Sequence, residues 1–226
     1  MYLGIIGAME EEITKLKEVM DIEKEVKISD FIFFVGKIYE KDVVLVQSNE
    51  GKVNSAICTQ TLILNFDIDK VINVGVAGAL SDKLNIGGIA ISDSTVEFDQ
   101  DTTALGYELG YTFGINKVYV ECDNKMAKDI YNIANKDFNT CVGTILSSDK
   151  FVSDNNLKIF LKEKFENAVA VDMETASINR VCKINNIPFC AIRAISDTTK
   201  AVEYREFVNI TVENLYKVVT NYIKTL

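Results

Sequence analysis

The sequence predicts an α/β fold built on a largely parallel or mixed sheet. Short apolar runs alternate with segments whose apolar residues recur at helical spacing. The 226 residues can bury one sizeable core. A single proline, Pro188, and the lack of any Gly- or Ser-rich stretch leave no linker at which to divide the chain, so residues 1–226 are expected to form one domain. Alternation of this kind sets helices against the faces of a sheet.

In chain order, Tyr2–Ala8 reads as a strand and Met9–Met20 as a helix. Phe31–Gly36 and Val43–Ser48 read as strands around a turn at Tyr39–Asp42. Val53–Asn65 reads as a helix, and Lys70–Val74 and Ile89–Ser92 as strands. Asn124–Asn135 is helical, Val142–Ser147 a strand and Leu157–Lys164 a helix. Ala168–Val171 reads as a strand, Met173–Asn185 as a helix, Ile187–Ile195 as a strand, and a long helix runs from about Glu203 to Ile223. Phe31, Phe33 and Phe34 are expected in the core or an interface, and the basic residues of Lys158–Lys164 on a solvated face. Ligands of such sheets gather at the carboxyl ends of strands.

Composition excludes several function classes. Lys and Arg number 24 against 33 Asp and Glu, a net charge of −9, which argues against binding nucleic-acid backbone. No apolar run approaches the roughly 18 residues of a membrane span, and Met1–Glu12 lacks the basic start of a secretory signal. There is no histidine, which removes Ser-His-Asp triads, Cys-His pairs and His-ligated zinc. Acid–base chemistry must run on carboxylates, Lys, Tyr, Cys or water. Cys58, Cys122, Cys141, Cys182 and Cys190 form no CxxC pair and read as reduced core thiols of a cytoplasmic protein. Gly75-Val-Ala-Gly78 lacks dinucleotide-binding spacing, and Gly51-Lys52 is not a P-loop.

Three acids stand where burial logic does not want them. On the first helix Met9, Ile13, Leu16, Val19 and Met20 share an arc that includes Glu12 but not Glu10 or Glu11. Glu174 shares a face with Ile178 and Val181 and follows a strand. Asp197 follows an apolar strand through Ser196, and Arg193 interrupts that same strand. Singly, each suits a structural ion pair or a helix-dipole contact. Together they point to a strand-end site. Without histidine, a protonated and an ionised carboxyl can cleave a glycosidic bond, one donating a proton and the other activating water, while a third accepts hydrogen bonds from sugar hydroxyls.

These residues sit in motifs that resemble the 5′-methylthioadenosine/S-adenosylhomocysteine nucleosidases of the nucleoside phosphorylase-like superfamily. The motifs are Gly4-Ile-Ile-Gly-Ala-Met-Glu-Glu-Glu12, Ile72-Asn-Val-Gly-Val-Ala-Gly78, Thr103-Ala-Leu-Gly-Tyr107, Ser147-Ser-Asp-Lys-Phe151, Val171-Asp-Met-Glu174 and Ala191-Ile-Arg-Ala-Ile-Ser-Asp197. They keep the family's order and span nearly the whole chain. The resemblance implies a three-layer sandwich with a central mixed sheet. It implies that Asp197 protonates purine N7 and that Glu12, helped by Arg193, activates water. It implies that Glu174 holds the ribose hydroxyls beside Met173, that Phe151 stacks on the purine, and that the backbone of Val152 reads its edge. Ala77 and Gly78 admit the nucleoside closely, and Met9 and Ser196 are expected at the site. Tyr204 takes the place of an aromatic at the 5′ end. The family uses no metal or organic cofactor and is usually a homodimer, with residues near Leu105 reaching the neighbouring site.

The chain departs from the family pattern at three places. Ser48-Asn-Glu-Gly-Lys52 stands where Ser-Gly-Ile-Gly-Lys is usual, so Glu50 replaces an apolar residue near the 5′ substituent. It either turns to solvent or binds a polar substituent. Val76 stands where a small polar residue is common, and Glu97-Phe-Asp99 where Tyr-His-Asp is common. Alongside hydrolysis of 5′-modified adenosines, three readings stay open: shifted 5′ specificity toward adenosine or an aminodeoxyfutalosine-like substrate, phosphorolysis, and nucleoside binding without turnover. Phosphorolysis would set a phosphate dianion beside Glu12, which charge repulsion opposes.

Overall fold

The computed structural model describes residues 1–197 and 201–226, with only the backbone described for 201–206, 208 and 209. The chain opens with β1 (Tyr2–Gly7), α1 (Glu10–Glu18) and three strands, β2 (Asp21–Ile28), β3 (Phe31–Ile38) and β4 (Lys41–Gln47). It continues through α2 (Lys52–Asn65), β5 (Ile68–Ala79), β6 (Ile89–Glu97), a 3-10 turn at Thr103–Leu105 and β7 (Val120–Glu121). Then come α3 (Asn124–Ala134), β8 (Thr140–Ser147), α4 (Asn155–Lys164), β9 (Ala168–Asp172), α5 (Thr175–Ile184), β10 (Phe189–Asp197) and α6 (Ala201–Thr225).

All strands join one mixed sheet in the order β10-β6-β8-β9-β5-β1-β4-β3-β2, with β7 on β6. The sheet also curls, because β10 pairs with β5 as well as β6 and closes five strands into a ring. Closure follows from the length of β5. Its first half pairs with β1 up to Asn73, its far edge pairs with β10 from Val71 to Gly78, and its last residues, Gly78 and Ala79, take β9. Between Asn73 and Gly78, β5 has lost β1 and not yet met β9. The resulting gap is where the site forms.

Helices α1, α3 and α6 cover one face around Ile13, Leu16, Met126, Ile130, Leu215 and Val219. Helices α2 and α5 cover the other through Cys58, Leu62, Ile178 and Cys182. Helix α4 closes a smaller cluster with Leu161 and Phe165. Phe31, Phe33 and Phe34 are buried. None of the five cysteines is in a disulfide, and all but Cys141 are buried.

Several sequence expectations need correction. Strand β2 was not foreseen: as the outer edge strand it exposes most of Asp-Ile-Glu-Lys-Glu-Val-Lys-Ile, so its polar residues mask the alternation. Helix α1 ends at Glu18 and leaves Val19, placed on the apolar arc, 42% exposed. Helix α5 begins at Thr175, so Glu174 is its N-cap residue and not part of a helix face with Ile178 and Val181. Strand β5 runs five residues past Val74, because Gly75 and Gly78 interrupt the apolar pattern but not the ladder.

Candidate active site

A cavity of about 240 Å³ opens at the gap in β5. Its walls include Met9, Glu12, Glu50, Val76, Ala77, Gly78, Phe151, Val152, Met173, Glu174, Ser196 and Asp197, together with Ala8, Lys150, Val171 and Asp172. Twelve of the fifteen residues expected at the site therefore meet at or just after the carboxyl ends of β1, β4, β5, β8, β9 and β10. The other three lie elsewhere. Arg193 is fully buried behind the wall. Leu105 is 75% exposed and away from this chain's cavity. Tyr204 lies outside the described side chains.

Glu12 occupies the third position of α1, where an acid ordinarily reaches back to the N-cap amide. Its Oε2 does so, accepting from Met9 N–H at 3.1 Å and Ala8 N–H at 2.7 Å. Its Oε1 does something a capping acid has no need to do: it crosses the gap and accepts from Val76 N–H at 2.9 Å. That amide is on the edge of β5 that β1 has left, so the carboxylate completes the strand and faces the cavity. The contact is to backbone, so the Val76 side chain does not decide it.

Behind this wall sits a polar cluster. The Arg193 guanidinium lies 2.7 Å from Asp172, 3.7 Å from Glu174 and 3.9 Å from Glu12. It donates to Thr175 Oγ1 through Nε at 3.1 Å and Nη2 at 2.9 Å, and to Asn73 Oδ1. Asp172 also accepts from the Ser147 hydroxyl at 2.5 Å and from the Thr175 hydroxyl. Arg193 thus touches the carboxylates and not the cavity, so its part is to position them. Among the described residues the buried Arg193 guanidinium faces three buried carboxyls: Glu12, Asp172 and Glu174. One cation does not offset the burial of three anions in a low-dielectric site. Burial accordingly pushes Glu12 up from its ordinary value despite Arg193 and three amide donors. Burial likewise pushes Glu174 up to about 8, against the pull of Arg193.

The Glu174 shift has a consequence for stability. A carboxyl whose folded value is raised favours the folded state while protonated, and that contribution is lost as pH rises from about 4.5 through about 8. Glu174→Gln should flatten the fall in ligand-free Tm between pH 5 and pH 8.5. Unchanged slopes in thermal melts of the two proteins would contradict this.

Glu174 is also tied to the loop before α2. Gly51, at φ +90°, donates its N–H to Glu174 Oε1 at 2.9 Å, and Lys52 N–H donates to Asp149 at 2.8 Å. The Lys52 ammonium is held 2.6 Å from Asp99 and 3.3 Å from Glu97, and Glu97 also pairs with Arg180 at 3.1 Å. The acids of Glu97-Phe-Asp99 thus anchor this loop. On the opposite wall, Ser196 Oγ donates to Asp197 Oδ2 at 3.0 Å, and both residues are buried.

Sequence reasoning missed Asp172, Asn73, Thr175 and Gly75. Two of these carried a signal: Asn73 is a polar residue inside the apolar run Val71–Val74, and Asp172 ends the strand before Glu174. Gly75 is required for space. A Cβ there would stand 2.0 Å from Arg193 Nη1 and 2.5 Å from Glu12 Oε1, so both side chains would have to leave their present hydrogen-bond partners. Gly75→Ala should lower stability by about 1–3 kcal/mol and activity by more than tenfold. A variant with wild-type Tm and turnover would show that the packing is looser than described. Among the described residues no group of three His, Cys, Asp or Glu is placed to hold a metal ion.

Fold and site together define an α/β protein that gathers carboxyls around a strand-end cavity. A model of the phosphorylase superfamily matches residues 2–224. The 5′-methylthioadenosine/S-adenosylhomocysteine nucleosidase of Staphylococcus epidermidis is 38% identical over 210 residues, 92% of each chain. The nucleosidase of Neisseria meningitidis, solved in complex with methylthio-immucillin-A, superposes with a TM-score of 0.95 at 33% identity, covering 100% of this chain and 99% of that one. The futalosine hydrolase of Helicobacter pylori superposes at 0.94 with 30% identity, covering 100% and 98%. The chain belongs to the phosphorylase superfamily and, within it, to the 5′-methylthioadenosine/S-adenosylhomocysteine nucleosidase family of purine nucleoside N-glycosidases.

Proposed function

We propose that the chain hydrolyses the N-glycosidic bond of 5′-modified adenosines such as methylthioadenosine, S-adenosylhomocysteine and 5′-deoxyadenosine, releasing adenine and the 5′-modified ribose. One observation carries this: Glu12, Glu174 and Asp197 line one cavity, while Arg193, the buried cation among the described residues, stands behind the wall. The ionised Glu12 in that wall repels a phosphate dianion and suits water.

In this reading Asp197 gives its proton to purine N7. The C1′–N9 bond breaks, its electron pair leaves with adenine, and positive charge develops on the sugar. Glu12 takes a proton from water as the oxygen bonds to C1′. The cycle starts with Asp197 protonated and Glu12 ionised and ends with these states exchanged, so solvent resets both. Glu174 accepts from the ribose hydroxyls beside Met173, Phe151 stacks on the base, Val152 main chain reads its edge, and Arg193 positions Glu12 and Glu174. No cofactor takes part. The expected result is adenine release from methylthioadenosine and S-adenosylhomocysteine; release from neither would overturn the reading. The futalosine hydrolase likeness supports a second reading, a nucleosidase whose preferred 5′ substituent differs.

The working unit in this proposal is a cytoplasmic homodimer. Exposed Val53, Ile57, Leu105 and Tyr107 supply apolar surface for a second copy, and Leu105 reaches the partner's site. Light scattering on the purified chain tests it, and the mass of one chain would contradict it. Among the described residues no helix is long and apolar enough to cross a membrane.

A further inference from the structure

The mouth of the cavity differs from its floor. The charged residues deep in the site are buried, but two charged residues of its lining, Glu50 and Lys150, are exposed and of opposite sign. They are neighbours across the opening, because their loops are pinned together. Lys52 N–H donates to Asp149 Oδ1 at 2.8 Å, and the same oxygen lies 3.1 Å from where a Cβ on Gly51 would stand. The Glu50 main chain is fixed as well: its carbonyl accepts from Asn54 Nδ2 at 2.8 Å, and the next amide donates to Glu174. Among the described residues neither the Glu50 carboxylate nor the Lys150 ammonium forms an ion pair. Met9 and Met173 add apolar surface to the cavity lining.

We propose that Glu50 and Lys150 form a binding site for a zwitterionic group on the substrate's 5′ arm. Glu50 takes an ammonium and Lys150 a carboxylate, so the enzyme favours 5′-thioadenosines that carry an amino-acid chain over those that end in methyl. The inference rests on the proposed nucleosidase activity. There the ribose lies on Glu174, whose carboxylate is bonded to the residue after Glu50, and the 5′ arm leaves the cavity past that loop. The apolar stretch fits a thioether, and the charged pair beyond it fits the polar end. A methyl at the same place would leave both charges without a ligand and would gain nothing from them. An arm ending in a carboxylate alone would meet Glu50 as a like charge.

The test measures kcat/KM for S-adenosylhomocysteine and for methylthioadenosine in the wild type, Glu50→Gln, Glu50→Lys and Lys150→Gln. The ratio of the two values should fall about fivefold in Glu50→Gln, the scale of a partly exposed charge-assisted contact. It should fall further in Glu50→Lys and by a smaller factor in Lys150→Gln. A second pair of probes separates recognition from general damage: adenosines with a 5′-aminobutylthio or a 5′-carboxybutylthio arm. Glu50→Gln should weaken the first and improve the second. Adenine release with ratios unchanged within twofold, or equal responses to the two arms, overturns the mouth assignment alone. No adenine release from any substrate overturns the nucleosidase reading with it.

Discussion

Asp197→Asn should abolish adenine release, by about 10³-fold or more in kcat, while the nucleoside still binds. The substitution keeps size and shape at a residue that is 2% exposed and retains an oxygen to accept from Ser196 Oγ. It removes the one thing the proposed step needs, a carboxyl proton for purine N7. Because the leaving group departs as a neutral base only if it is protonated, the loss falls on kcat and not on KM. Titration calorimetry with methylthioadenosine and adenine release on one preparation read both quantities. Turnover near wild type would remove Asp197 as proton donor, and loss of binding together with a collapsed Tm would mark it as structural.

Glu12→Gln should remove hydrolysis to a similar extent, about 10²–10⁴-fold, for a different reason. An amide cannot take the proton from water. It also fits the site poorly, since Glu12 accepts from Ala8 and Met9 on one oxygen and from Val76 on the other. An amide offers one acceptor, so one set of N–H donors meets an NH₂ group, at about 1–3 kcal/mol. The variant should therefore melt earlier than wild type yet still bind nucleoside, which separates lost chemistry from lost fold. In the wild type, burial raises Glu12. The acidic limb of kcat/KM should thus begin at a higher pH than for an exposed Glu, with activity falling as Glu12 takes up its proton. Normal turnover in Glu12→Gln would reject Glu12 as the base.

Most of the layer pattern could be read from the residues because strands buried on both faces, such as β10 and the middle of β5, are mostly apolar. The edge strand β2 could not, since its exposed residues carry the polar pattern of a loop. Closure of the ring was also hidden: nothing in the apolar pattern of Phe189–Asp197 says that β10 pairs with β5 and β6 at once. At the site, Glu12, Glu174 and Asp197 stood out because acids on buried stretches are costly. Thr175 did not, because a polar residue at the start of a helix is ordinary, and its importance comes from Arg193 reaching across from β10. Arg193 itself was visible as a charge inside an apolar strand. Its place behind the carboxylates, and not against a ligand, needed three dimensions.

The central claim is that water, and not phosphate, attacks the sugar in a cavity walled by Glu12, Glu174 and Asp197. The most direct measurement follows adenine release from methylthioadenosine with and without phosphate, in water enriched in ¹⁸O, and weighs the sugar product. The account predicts equal rates with and without phosphate and free 5-methylthioribose carrying one ¹⁸O. A phosphate requirement with a sugar 1-phosphate as product would contradict it and would remove Glu12 as the base.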